Sequence, residues 1–112
     1  VTPIYWACMV GSNLALSMIL EKSKQSINAV CDSGHTPLLV ACLSEHTENK
    51  PDIFQILLRN GADIRARNDT GQTALDIALE KKNIVAIRCL IAHIRDLDLD
   101  LEEFITNRSR SR

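Results

Sequence analysis

The chain has 112 residues, 46% of them hydrophobic, with 13 basic against 14 acidic side chains and a net charge of −1. That length holds one ordinary folded domain, and the charge balance leaves no basic footprint for direct nucleic-acid binding. Apolar stretches break well before the roughly 18 residues of a membrane span and no signal-peptide pattern opens the chain, so no membrane contact is expected.

In chain order, Thr2-Pro3-Ile4 reads as a helix start, with an Ala five places after the Thr and an apolar pair, Ile19-Leu20, about twelve places beyond Ala7. The same pattern returns at Thr36-Pro37-Leu38, 34 places on, with Ala41 and, about four places later than that register demands, the pair Leu57-Leu58. It returns again at Thr73-Ala74-Leu75, a further 37 places on, with Ala78 and Leu90-Ile91. Gly34-His35-Thr36-Pro37-Leu38 and Gly71-Gln72-Thr73-Ala74-Leu75 share Gly, Thr and Leu, three of five positions. A period in the thirties marks a helical solenoid.

Local chemistry defines one unit. Gly34 supplies the positive φ of a tight turn, Thr36 offers an oxygen to the first free N–H groups of a helix, and Pro37 suits the first helical position. Leu38, Ala41 and Cys42 then share a face. A second helix carries Ile53, Ile56 and Leu57 at the same spacing and stops at Asn60-Gly61. Ala62-Asp63-Ile64 runs extended toward the turn Asn68-Asp69-Thr70-Gly71. Each unit is predicted to be helix, turn, helix and hairpin-like connector.

On these residues the chain resembles an ankyrin-repeat protein. The family's T-P-L-H-x-A motif appears as Thr2-Pro3-Ile4-Tyr5-Trp6-Ala7, Thr36-Pro37-Leu38-Leu39-Val40-Ala41 and Thr73-Ala74-Leu75-Asp76-Ile77-Ala78. Its G-A-D-I-N-A motif appears as Gly61-Ala62-Asp63-Ile64-Arg65-Ala66 and, shortened, as Ile27-Asn28-Ala29. The resemblance covers roughly residues 1–94 and implies an all-α stack of three repeats, about 1–30, 31–67 and 68–94. The motif His is replaced by Tyr5, Leu39 and Asp76, so its hydrogen bonds between repeats must be replaced or lost. Thr-Ala-Leu-Asp resembles a terminal-repeat variant. Trp6 falls at a core position of the family and is expected inside, with Tyr5 the more open of the two.

The second repeat carries about four extra residues within residues 43–50. This polar insertion is expected to project from the stack, since loops absorb added length at small cost. Residues 95–106 read as a capping helix beginning near Asp98, because Ile94, Leu97, Leu101, Phe104 and Ile105 form one stripe. A strand is the rival reading, since Leu97, Leu99 and Leu101 alternate with acids. Residues 107–112 read as a disordered basic tail. Because Val1 lies inside a repeat, the sequence is read as a piece of a longer protein.

Catalytic and metal signatures are lacking. No nucleophile elbow, Walker loop or dinucleotide fingerprint occurs, and only four glycines are present. The run Asp96-Leu97-Asp98-Leu99-Asp100 imitates half a calcium loop but continues with Leu101 and reaches Asn107 where Gly and Glu are required. Cys8, Cys31, Cys42 and Cys89 form no CxxC pair and keep no ligand spacing with His35, His46 or His93, so free buried thiols in a reducing, intracellular compartment (cytoplasm or nucleus) are expected. No cofactor is called for.

The resemblance implies binding of another protein across connector tips and first-helix ends. Those positions are Met9 and Val10 in the first repeat, and Val30, Asp32, Ser33, His35, Leu43 and Ser44 in the second. In the third they are Arg67, Asp69, Thr70, Gln72, Glu80 and Lys81. Arg59, Arg65 and Arg67 suggest a modest basic edge. The expected function is a non-catalytic, monomeric scaffold or adaptor module. The alternatives are a structural spacer within a larger signalling protein, enzyme or receptor, and, more remotely, an enzyme in its own right.

Overall fold

The computed structural model describes residues 3–105, so Thr2, expected to cap the first helix, and the basic tail lie outside the described residues. Six α-helices form three antiparallel pairs: α1 (Pro3–Val10) with α2 (Asn13–Lys22), α3 (Pro37–Leu43) with α4 (Pro51–Arg59), and α5 (Ala74–Lys81) with α6 (Ile84–Asp96). The first helices stack as α1, α3, α5 and the second helices as α2, α4, α6, which makes two layers with the core between them. There is no strand among the described residues.

Four helix starts follow from a side-chain cap, while α4 opens on Pro51 with no side-chain bond from Lys50. Thr36 Oγ1 accepts from the Leu39 N–H with Pro37 in the first turn, and Ser12 and Asn83 cap α2 and α6 in the same way. Thr73 and Asp76 form a full capping box, each side chain accepting from the other's backbone N–H (3.2 and 3.1 Å). Asp76, standing where the family motif has His, therefore works within its own helix.

The connectors repeat bond for bond. Cys31 N donates to His35 O (3.0 Å) and Gly34 N to Cys31 O (2.9 Å); 37 places later Asn68 N donates to Gln72 O (3.1 Å) and Gly71 N to Asn68 O (2.9 Å). Gly34 is demanded twice over. Its φ is +83°, and a Cβ there would stand 2.9 Å from the Asp69 backbone nitrogen of the next connector. Asn28 ties the first repeat to the second, donating to Gly61 O (3.0 Å) and accepting from Asp63 N (2.8 Å).

The core is the set of apolar positions that the repeats share: Leu38, Ala41 and Cys42 on α3, Ile53, Phe54 and Leu57 on α4, Leu75, Ile77 and Ala78 on α5, and Ala86, Leu90 and Ile94 on α6, all essentially sealed from solvent. Two aromatic expectations reverse. Tyr5 is buried, its hydroxyl donating to Ala29 O at 2.6 Å, so it bridges α1 to the following connector as the missing His was expected to do. Trp6 is 52% exposed. The matching residue Ile77 is covered because α3 packs in front of α5, whereas no described element packs in front of α1.

The insertion does not project. It forms a 3-10 turn, Glu45–Thr47, folded back against α1. Ser44 Oγ donates to Met9 O, and Thr47, 0% exposed, donates from Oγ1 to Ala41 O (2.7 Å) while Thr47 Oγ1 accepts from Asn83 Nδ2 (3.4 Å). One short polar segment thereby touches all three repeats.

The expected C-terminal helix from Asp98 is also corrected, because Asp98 ends a helix. It takes the left-handed conformation (φ +59°) while Leu99 N donates to Ile94 O (3.0 Å) and Asp98 N to Arg95 O (3.0 Å), a helix stop of the Schellman type. Residues Leu101–Phe104 then make one 3-10 turn, with Phe104 buried and its carbonyl accepting from Thr73 Oγ1 (2.6 Å). Neither the strand nor the α-helix reading holds for that segment, though its apolar residue does cover the end of the third repeat.

Candidate functional site

A groove of about 1030 Å³ lies between the end of α1, the first full connector, the end of α3 and the docked insertion. Its floor is apolar, made by Tyr5, Met9, Val10, Ala29, Val30, Val40 and Leu43; Cys31, Asp32, Ser33, His35, Ser44, Glu45 and His46 complete the wall. Met9, Val10, Val30 and Leu43 are exposed large apolar side chains that line it together.

The groove collects all eight candidate positions of the first two repeats: Met9, Val10, Val30, Asp32, Ser33, His35, Leu43 and Ser44. It does not collect the six of the third repeat. Arg67 donates to Gly71 O (2.8 Å) and to Glu103 O (3.4 Å), which uses its guanidinium to hold the connector and the C-terminal turn. Gln72 donates to Glu80 Oε1 (2.9 Å), and Thr70 Oγ1 donates to Asn68 Oδ1 (2.8 Å). Asp69 and Lys81 are exposed beyond the groove. The basic edge fares similarly. Arg65 pairs with Glu103 (3.2 Å) and stacks over the Phe104 ring at 5.5 Å, leaving Arg59 as the exposed member of that trio away from the C-terminal turn.

The groove also takes in residues that no sequence signal marked as binding positions. Cys31, expected among the buried thiols, is half-buried in the wall, and Glu45 and His46, expected in a projecting loop, line the groove as well. The clue to their docking was Gly11: a Cβ there would stand 2.8 Å from His46 O, so the bare glycine makes room for the insertion.

A chain of hydrogen bonds stiffens this wall. The Asn68 amide oxygen accepts from Thr70 N (3.0 Å) and Gln72 N (2.9 Å), which orients its Nδ2 toward His35 Nε2 at 3.3 Å. An amide nitrogen only donates, so Nε2 must accept and the neutral ring carries its proton on Nδ1, 2.7 Å from Ser33 Oγ. The Ser33 hydroxyl proton is then free to point at Cys31 Sγ, 3.4 Å away. That hydroxyl, with the Ser33 backbone, holds the Cys31 thiol below its ordinary pKa. Burial does the opposite elsewhere, pushing Cys8 up to about 12 and Cys42 higher still. Cys89 is raised too, by partial burial and then by the Asp52 charge, and like Cys31 it is only half-buried, against expectation.

Paired helices in two layers, hairpin connectors and a concave groove along one edge define a helical-repeat protein of the kind that binds with a surface. The comparisons agree. The family model for ankyrin repeats (3 copies) matches residues 1–66, more than half of the chain. The chain belongs to the ankyrin-repeat family. Among its relatives, human NAD-capped RNA hydrolase NUDT12 is 35% identical over 79 residues, which are 70% of this chain and 16% of that protein. Mouse 2-5A-dependent ribonuclease is 29% identical over 75 residues, 67% of this chain and 10% of that protein. Mouse ankyrin repeat domain-containing protein 63 is 28% identical over 79 residues, 70% of this chain and 20% of that protein. The chain thus spans a fifth or less of the length of these three relatives. No helix among the described residues is long and apolar enough to cross a membrane.

Proposed function

We propose that the chain is a non-catalytic protein-binding module, a scaffold or adaptor working inside the cell, and that its binding face is the groove between the first and second repeats. The observation that carries this reading is the exposure of Met9, Val10, Val30 and Leu43 together on a wall made rigid by short hydrogen bonds. A wall already fixed loses little freedom when a partner docks, and an apolar centre within a polar rim is the usual anatomy of an interface. The third-repeat positions are assigned to the outskirts of the surface, since Arg67, Thr70 and Gln72 are engaged within their own connector.

The reading is tested with two substitutions that both place a charge on an exposed apolar side chain. Leu43→Asp lies in the groove and Leu14→Asp, 72% exposed, lies on α2 outside it. A partner should lose affinity at least about tenfold with the first and less than about twofold with the second. Equal losses, or the reverse order, would remove the groove from consideration.

A second reading is that the module serves as a spacer in a longer protein. It is favoured by relatives such as NUDT12 and 2-5A-dependent ribonuclease, in which the matching stretch is a small share of a chain named for an enzyme activity. It predicts no partner for this segment by itself.

A further inference from the structure

We infer that the groove receives an extended peptide segment carrying one large apolar side chain flanked by lysine or arginine. This rests on the groove being the binding face and adds the chemistry of its occupant.

Size comes first. At about 1030 Å³ the groove matches the upper end of small-ligand cavities, roughly 300–1,000 Å³. It lies open along the connector, which suits several residues of an extended chain. The floor then calls for an apolar anchor, because Met9, Val10, Val30 and Leu43 offer no charged group to a ligand.

Charge decides the flanks. The carboxylates in the wall are Asp32 and Glu45, from the connector and the docked insertion, and neither lysine nor arginine stands among the residues lining the groove. Both acids are exposed, and among the described residues neither is in an ion pair. Two acids bordering an apolar floor attract a basic flank and repel an acidic peptide or a nucleic-acid backbone. On the third repeat, by contrast, Glu103 is matched by Arg65.

The probe is a phage-displayed library of random twelve-residue peptides panned against the folded chain, followed by synthesis of the enriched sequences. Enriched peptides should carry a large apolar residue with lysine or arginine within three positions. They should protect Cys31 from alkylation while leaving Cys89 labelling unchanged. The double variant Asp32→Lys/Glu45→Lys should weaken them about threefold to tenfold, and peptides with glutamate in place of the basic residues should bind that variant better than the original. The regained binding shows that the variant is folded. Enriched peptides that protect Cys31 but are acidic or uncharged, or that ignore the double variant, would overturn the inference and leave the groove reading standing. Peptides that leave Cys31 unprotected and bind the Leu43→Asp variant undiminished would overturn both. A library that yields no enriched peptide also refutes the inference.

Discussion

Thr47→Val should unsettle the whole stack although it lies in an insertion. The substitution keeps the β-branched shape and removes one oxygen. That oxygen donates to Ala41 O at 2.7 Å and accepts from Asn83 Nδ2 at 3.4 Å, in a residue with no solvent exposure. Loss of the first bond costs about 0.5–1.5 kcal/mol net, and a buried amide donor left without a partner adds about 1 kcal/mol, the low end of its range because the contact is long. The sum, about 1.5–2.5 kcal/mol, corresponds to a fall in melting temperature of roughly 6–10 °C for a domain of this size. Circular dichroism at 222 nm during a thermal ramp reads this directly. Thr47→Ser keeps the hydroxyl and should lose less, and Glu48→Ala on the exposed side of the same turn should shift the melt by less than about 2 °C. If Thr47→Val and Glu48→Ala melted alike, the insertion would be a loose loop and the wall of the groove would not be the rigid body described above.

Gly11→Ala should destabilise more than Gly61→Ala: both have positive φ (+74° and +93°), but only at Gly11 would the added carbon strike a neighbour, His46 O at 2.8 Å, and urea melts of the pair measure the difference. Trp6→Ser should cost less than about 1 kcal/mol, since the ring is half in water, whereas Leu57→Ala should cost about 2–5 kcal/mol by leaving a cavity; equal melts for the two would invert the assignment of core and surface. Stability should also fall as pH rises above about 8.5. Cys8 and Cys42 ionise near that value when unfolded, but burial raises both in the fold, so the unfolded state gives up its protons first. Below that value both states hold the proton and the groups contribute no slope. A Cys8→Ala/Cys42→Ala variant should show a flatter decline between pH 8 and 10.

The repeats were legible because three copies of one pattern leave little room for another reading. Thr36 and Thr73 mark their helix starts and Asn60-Gly61 its stop, and the apolar periodicity marks the buried faces. Eight of the candidate positions converge on one groove because connector tips and first-helix ends are neighbours in any such stack. What could not be read depended on contacts between distant segments. Trp6 is exposed because no described element packs in front of α1, and periodicity within a unit carries no information about that. The insertion looked free because it is polar, yet its polar groups, Ser44 and Thr47, are what fasten it to Met9 and Asn83. Arg67 looked available until Glu103, 36 residues away, claimed its guanidinium. Asp98 imitated a helix start because Asp serves that role elsewhere; here it tolerates the left-handed conformation of a helix stop.

The central claim is that binding occurs in the groove between the first two repeats. A two-dimensional amide NMR titration of the folded chain with a synthetic peptide that carries one leucine between two arginines tests it most directly. Shifts should cluster at Met9, Val10, at residues 30–35 and at residues 43–46. Shifts confined instead to Met18, Gln55 and Arg88, which face outward on the second helices, would contradict it.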